Sequence, residues 1–366
     1  MITEPRFPAH IASLRPHIAG VSLPELARRH GLQERDIAKL DSNENPLGAS
    51  PLALQALAET RQDPSIYPDT DSSVLVSRLA EVYGLDADWI VVGAGSESLL
   101  GITVTTLLAA GRKTVYSQYS FVAYANAVQR VGAVAIVVPE PDFMVDLAAL
   151  HDALAQQPVL IYIANPGNPT GTCVAPEALR EFLHAVPPNV VVLLDEAYLE
   201  FMPPSLRPDA LALVRALPNL IVTRTFSKAY GLAGLRVGYA IAQPALAGML
   251  RRVRPLFTVT QAAQIAALAA LSDQPFLQKA IAHNESIKQF LLAGLRELQL
   301  PYLESHTNFV LVKVGDGAAL AQRLAQRGLL VRPVGLYGLP QWTRIGVGTQ
   351  LQIEHLLHAL RQVLRE

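Results

Sequence analysis

The middle of the chain alternates short β-branched apolar runs with longer stretches of helical spacing. WIVVG (89–93) predicts a strand, and ESLLGITVTTLLAA (97–110) predicts the helix after it. VAIVV (134–138) and RVGYAIA (236–242) predict further strands. PVLIYIA (158–164), VVVLL (190–194) and NLIVTR (219–224) are unbroken apolar runs, as expected for central strands covered on both faces. PEALREFLHAV (176–186) and PDALALVRAL (208–217) carry helical periodicity with proline near the start. The alternation predicts an α/β domain whose mostly parallel sheet is covered by helices.

The ends of the chain read differently. Residues 270–300 are helical in pattern. FVLVKV (309–314), a helix over about 317–327, LLVRPV (329–334), WTRIGVG (342–348) and the closing helix QLQIEHLLHALRQVL suggest a small α+β layer. The first forty-odd residues are punctuated by proline and are expected to pack on that layer. The predicted organisation is a large domain over 46–265 and a small domain built from 1–45 and 266–366. No internal repeat or low-complexity linker interrupts it.

Composition narrows the classes. The 366 residues are 51% hydrophobic and 17% charged, ample for a sizeable core. Lys+Arg is 30 against Asp+Glu 31, so no basic excess marks a nucleic-acid or membrane surface. The single cysteine, Cys173, excludes an intrachain disulfide and a cysteine-rich metal site and fits a reducing, cytoplasmic compartment. No signal-peptide core or membrane-length apolar run is expected. Mean hydropathy is +0.26, consistent with Ala/Leu/Val-rich helices and a subunit interface.

Chemistry enters where polar residues stop the buried strands. Ligands of open α/β sheets sit outside the carboxyl ends of the strands. WIVVG stops at AGSES, with Ser96 and Glu97 opening a helix whose N–H groups suit an anion. VLIYIA stops at NPGNPTG, with Asn165 and Asn168; VVVLL stops at Asp195 and Tyr198. NLIVTR stops at Thr225, Ser227 and Lys228, followed by a glycine-rich loop and Arg236. Each has a plain reading: a Gly turn, a helix cap at Asp195, a core tyrosine, a surface arginine. Their coincidence at one edge is what matters. An amine, a carboxylate, a phenol and an anion pocket are what pyridoxal phosphate requires.

NPGNPTG, DEAYLEF and TFSKAYGLAGLRVGY, in that order, resemble the cofactor signatures of fold-type I pyridoxal-phosphate aminotransferases. LDSNENPLG (40–48), YPD (67–69) and GLLVRP…RIGVGT make the chain similar to the histidinol-phosphate aminotransferase subfamily, from about residue 11 to 350. The resemblance implies that Lys228 forms the Schiff base and shuttles the Cα proton. It places Asp195 at the pyridine nitrogen and Tyr198 and Asn168 at the ring oxygen. It gives the phosphate to the N–H groups of Ser96 and Glu97 and to the side chains of Thr225, Ser227 and Arg236. Tyr119 is implied as the aromatic ring stacked on the cofactor. Tyr67 would reach the neighbouring subunit's cofactor, which implies a homodimer with shared sites.

For the substrate, the resemblance implies Arg344 as the carboxylate clamp, a role suited to a planar guanidinium. It implies Arg332 at the substrate phosphate, and Asn43, Asn308 and His17 beside the substrate. The implied reaction is a ping-pong exchange between glutamate/2-oxoglutarate and histidinol phosphate/imidazole acetol phosphate. Two departures leave an alternative open. His17 stands where tyrosine is usual, and GVGTQLQIE lacks the acidic pair common after GT. An aromatic or broad-specificity aminotransferase is the first alternative, a phospho-amino-acid decarboxylase the next. A cofactor-sensing regulator is expected to carry an added DNA-binding module, for which the N-terminus reads as too short and not basic enough. A nicotinamide dehydrogenase is disfavoured because GAGSES lacks the third glycine of the dinucleotide fingerprint.

Overall fold

The computed structural model of the chain describes residues 7–14, 22–61 and 63–365. The strands in chain order are β1 (Ala38–Lys39), β2 (Ile90–Gly93), β3 (Lys113–Ser117), β4 (Val134–Val138), β5 (Leu160–Ala164) and β6 (Val191–Asp195). They continue as β7 (Leu220–Thr225), β8 (Gly238–Ala242), β9 (Phe309–Lys313), β10 (Leu329–Leu330), β11 (Arg332–Pro333) and β12 (Trp342–Gly346).

Seven strands form the main sheet in the order β2-β8-β7-β6-β5-β3-β4. The run from β7 to β4 is parallel, and β8 is antiparallel to both of its neighbours. The carboxyl ends of β2, β5, β6 and β7 and the amino end of β8 therefore share one edge. The apolar runs that predicted β5, β6 and β7 are buried almost throughout, because helices cover both faces. β4 is largely exposed at the sheet edge. β3 was not anticipated: its run TVYS is short and follows the charged pair Arg112 and Lys113, which masks the apolar pattern.

Two cores lie on the faces of this sheet. One includes Ile161, Ile163, Val192, Leu194, Val222 and Ile241; the other includes Leu160, Tyr162, Leu193 and Ile221. Successive residues point to opposite faces, so the two sets alternate along each strand.

A further core belongs to the small layer. The antiparallel sheet β11-β12-β9 packs with Leu291, Leu295, Ile353, Leu356 and Leu360. β1 pairs in parallel with β10, and Leu26, Ala27 and Ile37 pack with Ala325 and Leu330. Residues 22–40 thus join this layer. The short helix Ala9–Ala12 instead borders the large-domain helix Val122–Arg130, through Gln129 and Ser13 at 3.5 Å.

The passage from large to small core falls later than residue 266. Helix Gln261–Ser272 contributes Ala263, Ala266, Ala267 and Ala270 to the large core. Helix Gln274–Glu297 gives Leu277 to the large core and Ile287, Leu291 and Leu295 to the small one. A helix bridging two cores shows no break in its apolar pattern, so the sequence does not mark the junction.

Candidate active site

The shared edge of the main sheet holds a cavity of about 280 Å³. Asn43, Ser96, Glu97, Asn168, Asp195, Tyr198, Thr225, Ser227, Lys228, Arg236 and Arg344 all line it. Most of these residues meet because they end, follow or precede a strand at that edge, while Asn43 and Arg344 are brought to it by the small layer.

Lys228 follows β7. Its Nζ donates to the Ser42 carbonyl at 3.2 Å and lies 5.7 Å from the centre of the Tyr198 ring. Burial lowers its pKa to about 7, and the nearby Arg344 cation pushes the same way. The amine is therefore readily uncharged, as nucleophilic and proton-transfer work demands.

Asp195 ends β6 and is buried. Burial raises its pKa to about 6, opposed by hydrogen bonds from Thr223 and Tyr162. The next residue, Glu196, behaves differently: Arg224 pairs with it at 2.8 Å.

Tyr198 is held by two amides. Asn43 Nδ2 donates to its hydroxyl at 3.0 Å and Asn168 Nδ2 at 3.2 Å. Asn43 adopts φ 57°, a conformation that asparagine tolerates better than most residues. Burial pushes the Tyr198 phenol up to about 12, while Arg344 and the Asn43 hydrogen bond oppose the rise.

At the other end, Thr225 Oγ1 lies 3.0 Å from Ser227 Oγ, which also accepts from Arg236 Nη1 at 3.2 Å. The helix Gly95–Leu107 points its first turn at this corner. A Cβ at Gly95 would stand 2.6 Å from Arg236 Nη2, and one at Gly238 would stand 2.7 Å from the Ser96 nitrogen. Only glycine at both positions keeps guanidinium, hydroxyls and helix N–H groups gathered in one anion cradle. The cradle, the buried carboxylate and the amine with a lowered pKa fit pyridoxal phosphate.

Arg344 is buried. Its Nη1 donates to Asn168 Oδ1 at 2.6 Å and its Nη2 to the Asp41 carbonyl at 2.7 Å. Its Nε is buried without a partner among the described residues. Arg332 stands outside the cavity wall, with Nη2 3.0 Å from Asp41 Oδ2. Asn308 also lies off the wall; its Nδ2 donates to the Asn43 carbonyl at 2.9 Å and so holds the loop that carries Asn43. Tyr67 is 77% exposed and stacks on Phe257. His17 lies outside the described residues.

The Tyr119 ring packs on Phe143, 5.4 Å between centres, and stands off the cavity wall. Phe121, the residue preceding the helix Val122–Arg130, was not anticipated; it lines the wall, as does Tyr198. Ser42 and Glu44, also on the wall, were not anticipated. LDSNENPLG signalled the loop, but not which of its residues face inward.

The chain belongs to the aminotransferase class I and II family, whose model matches residues 35–360. It is 44% identical over 362 residues to histidinol-phosphate aminotransferase 1 of Cupriavidus pinatubonensis, covering 98% of this chain and 96% of that one. It is 45% identical over 357 residues to histidinol-phosphate aminotransferase 1 of Thiobacillus denitrificans, covering 98% and 93%. The crystal structure of histidinol-phosphate aminotransferase from Sinorhizobium meliloti in complex with pyridoxal-5'-phosphate superposes with a TM-score of 0.90 at 31% identity, covering 100% and 99%.

Proposed function

We propose that this chain is a pyridoxal-phosphate-dependent aminotransferase of histidine biosynthesis. It moves an amino group between glutamate/2-oxoglutarate and histidinol phosphate/imidazole acetol phosphate. One observation carries the chemistry: Lys228 and Asp195 share a cavity that has an anion cradle at Arg236 and a buried guanidinium at Arg344. Near-full-length similarity to histidinol-phosphate aminotransferases supports the substrate.

Bound pyridoxal phosphate supplies an electron sink that stabilises the carbanion left at the substrate Cα. Lys228 holds the cofactor and, when freed from it, takes the Cα proton and returns it on the other side of the exchange. Asp195 presents a carboxylate to the pyridine nitrogen. Tyr198, oriented by Asn43 and Asn168, serves the ring oxygen. Ser96, Glu97, Thr225, Ser227 and Arg236 take the phosphate. Tyr119 stacks on the pyridine ring, with Phe121, two residues further, on the cavity wall. Arg344, fixed by Asn168 and the Asp41 carbonyl, receives the substrate carboxylate, and its unpartnered Nε remains to donate. Arg332 lies close enough to Arg344 to receive a second anionic group.

The active assembly is a homodimer. Ile66 and Leu256 are 70% and 72% exposed beside the stacked pair Tyr67 and Phe257, an apolar surface suited to a second copy. No helix among the described residues is long and apolar enough to cross a membrane. A cytoplasmic location completes the proposal.

The deciding experiment gives purified enzyme a panel of amino donors with 2-oxoglutarate. Histidinol phosphate should be used far better than phenylalanine. Preference for phenylalanine would assign an aromatic aminotransferase, and release of carbon dioxide a decarboxylase.

A further inference from the structure

Asp195 is met from both flanking strands by hydroxyls that do not line the cavity. On β7, Thr223 is its direct partner in the ladder, and Thr223 Oγ1 donates to Asp195 Oδ1 at 3.0 Å. On β5, Ala164 is the direct partner and Tyr162 stands two residues earlier on the same face. A diagonal neighbour of this kind is within reach of an aromatic side chain. Tyr162 uses that reach: its hydroxyl donates to Asp195 Oδ2 at 3.1 Å. Both donors are fully buried.

The tyrosine is itself locked. Its ring stacks on Tyr124 at 4.2 Å with an interplanar angle of 8°, and the Tyr124 hydroxyl lies 2.6 Å from Thr114 Oγ1. The contrast with the next residue is informative. Glu196 is neutralised by the Arg224 guanidinium, whereas Asp195 receives two neutral hydroxyls. Hydroxyl donors favour the ionised carboxylate yet leave its charge uncompensated. That charge then remains available to a cation entering from the cavity side.

We propose that Tyr162, seconded by Thr223, is a positioning residue that aims the Asp195 carboxylate into the cavity and keeps it anionic for the protonated pyridine ring. This rests on the cofactor assignment above. Burial already pushes the Asp195 carboxyl up to about 6, so loss of a donor drives it higher still. Tyr162→Phe removes the hydroxyl and keeps the stacking ring.

The test measures pyridoxal 5'-phosphate affinity by fluorescence titration of the cofactor-free protein and the pH profile of kcat/KM of the holoenzyme, for wild type and variants. Tyr162→Phe should move the acid limb upward by about one pH unit and weaken cofactor retention about tenfold. Thr223→Val should do the same, and Thr223→Ser, which keeps a hydroxyl, should restore both. A variant that loses thermal stability but keeps the wild-type acid limb and cofactor affinity overturns the proposal. So does an unchanged Tyr162→Phe enzyme. A wild-type protein that fails to bind pyridoxal 5'-phosphate would instead overturn the cofactor assignment itself.

Discussion

Arg332 and Arg344 are direct partners across the antiparallel pair β11–β12, and both are tied to Asp41. Arg332 reaches its carboxylate at 3.0 Å and Arg344 its carbonyl at 2.7 Å. Two guanidiniums on one face of a small sheet would repel each other, and Asp41 offsets part of that. Lys39 joins the cluster, 3.4 Å from Asp41 and 2.5 Å from Glu44.

This arrangement predicts the substrate split. Arg332→Ala should raise KM for histidinol phosphate about tenfold to a hundredfold, the worth of a charged hydrogen bond, and barely affect glutamate. Equal losses on both substrates would reject a phosphate role. Asp41→Asn should strengthen inhibition by inorganic phosphate, because the competing carboxylate charge is gone; weaker inhibition would show that Asp41 instead holds Arg332 in place.

Lys228 makes a prediction about stability as well as turnover. Lys228→Ala should abolish transamination. In cofactor-free protein, the lysine binds fewer protons folded than unfolded between about 7 and its ordinary value of 10.5. Stability should therefore rise with pH across that window. Lys228→Met removes this dependence, so its advantage in Tm over wild type should be greatest at pH 7 and below and fade toward pH 10.5. A constant difference at every pH would show that the amine is not held at a lowered pKa.

The anion cradle depends on Gly95, which has φ 76° and touches Arg236. Gly95→Ala adds a Cβ where the guanidinium lies and strains the backbone. It should cost more than about 1 kcal/mol of stability and weaken pyridoxal phosphate binding by a larger factor than it affects pyridoxal, which lacks the phosphate. Titration with both compounds checks this.

The stacking role is tested at Tyr119. Tyr119→Ala should lower cofactor affinity roughly tenfold, as expected for a lost stacking ring, while Tyr119→Phe, which keeps the ring, should stay near wild type. Weak binding by Phe121→Ala with normal binding by Tyr119→Ala would give the stacking role to Phe121.

The shared-site proposal is tested by mixing Lys228→Ala with Tyr67→Phe chains. Hybrid dimers should regain part of the activity that each variant lacks. A monomer in sedimentation with full activity would remove Tyr67 from the site.

The sequence by itself determined most strands of the main sheet and the chemistry at their ends, β3 excepted. Unbroken apolar runs specified strands buried on both faces, and the polar residues ending them specified where a ligand would sit, since only strand ends escape the covering helices. Lys228, Asp195, Tyr198 and Arg236 were legible for that reason, whereas Arg344, inside a strand of the small sheet, was legible only through the family resemblance. Tertiary structure decided what linear spacing does not encode. It set Phe121 on the cavity wall and packed the Tyr119 ring on Phe143, because a chain turn rather than residue type aims each ring. It carried helix Gln274–Glu297 across two cores, because a continuous apolar stripe serves both. It brought Asp41 to Arg332 and Tyr162 to Asp195, because strands distant in sequence lie side by side only once the sheet is assembled.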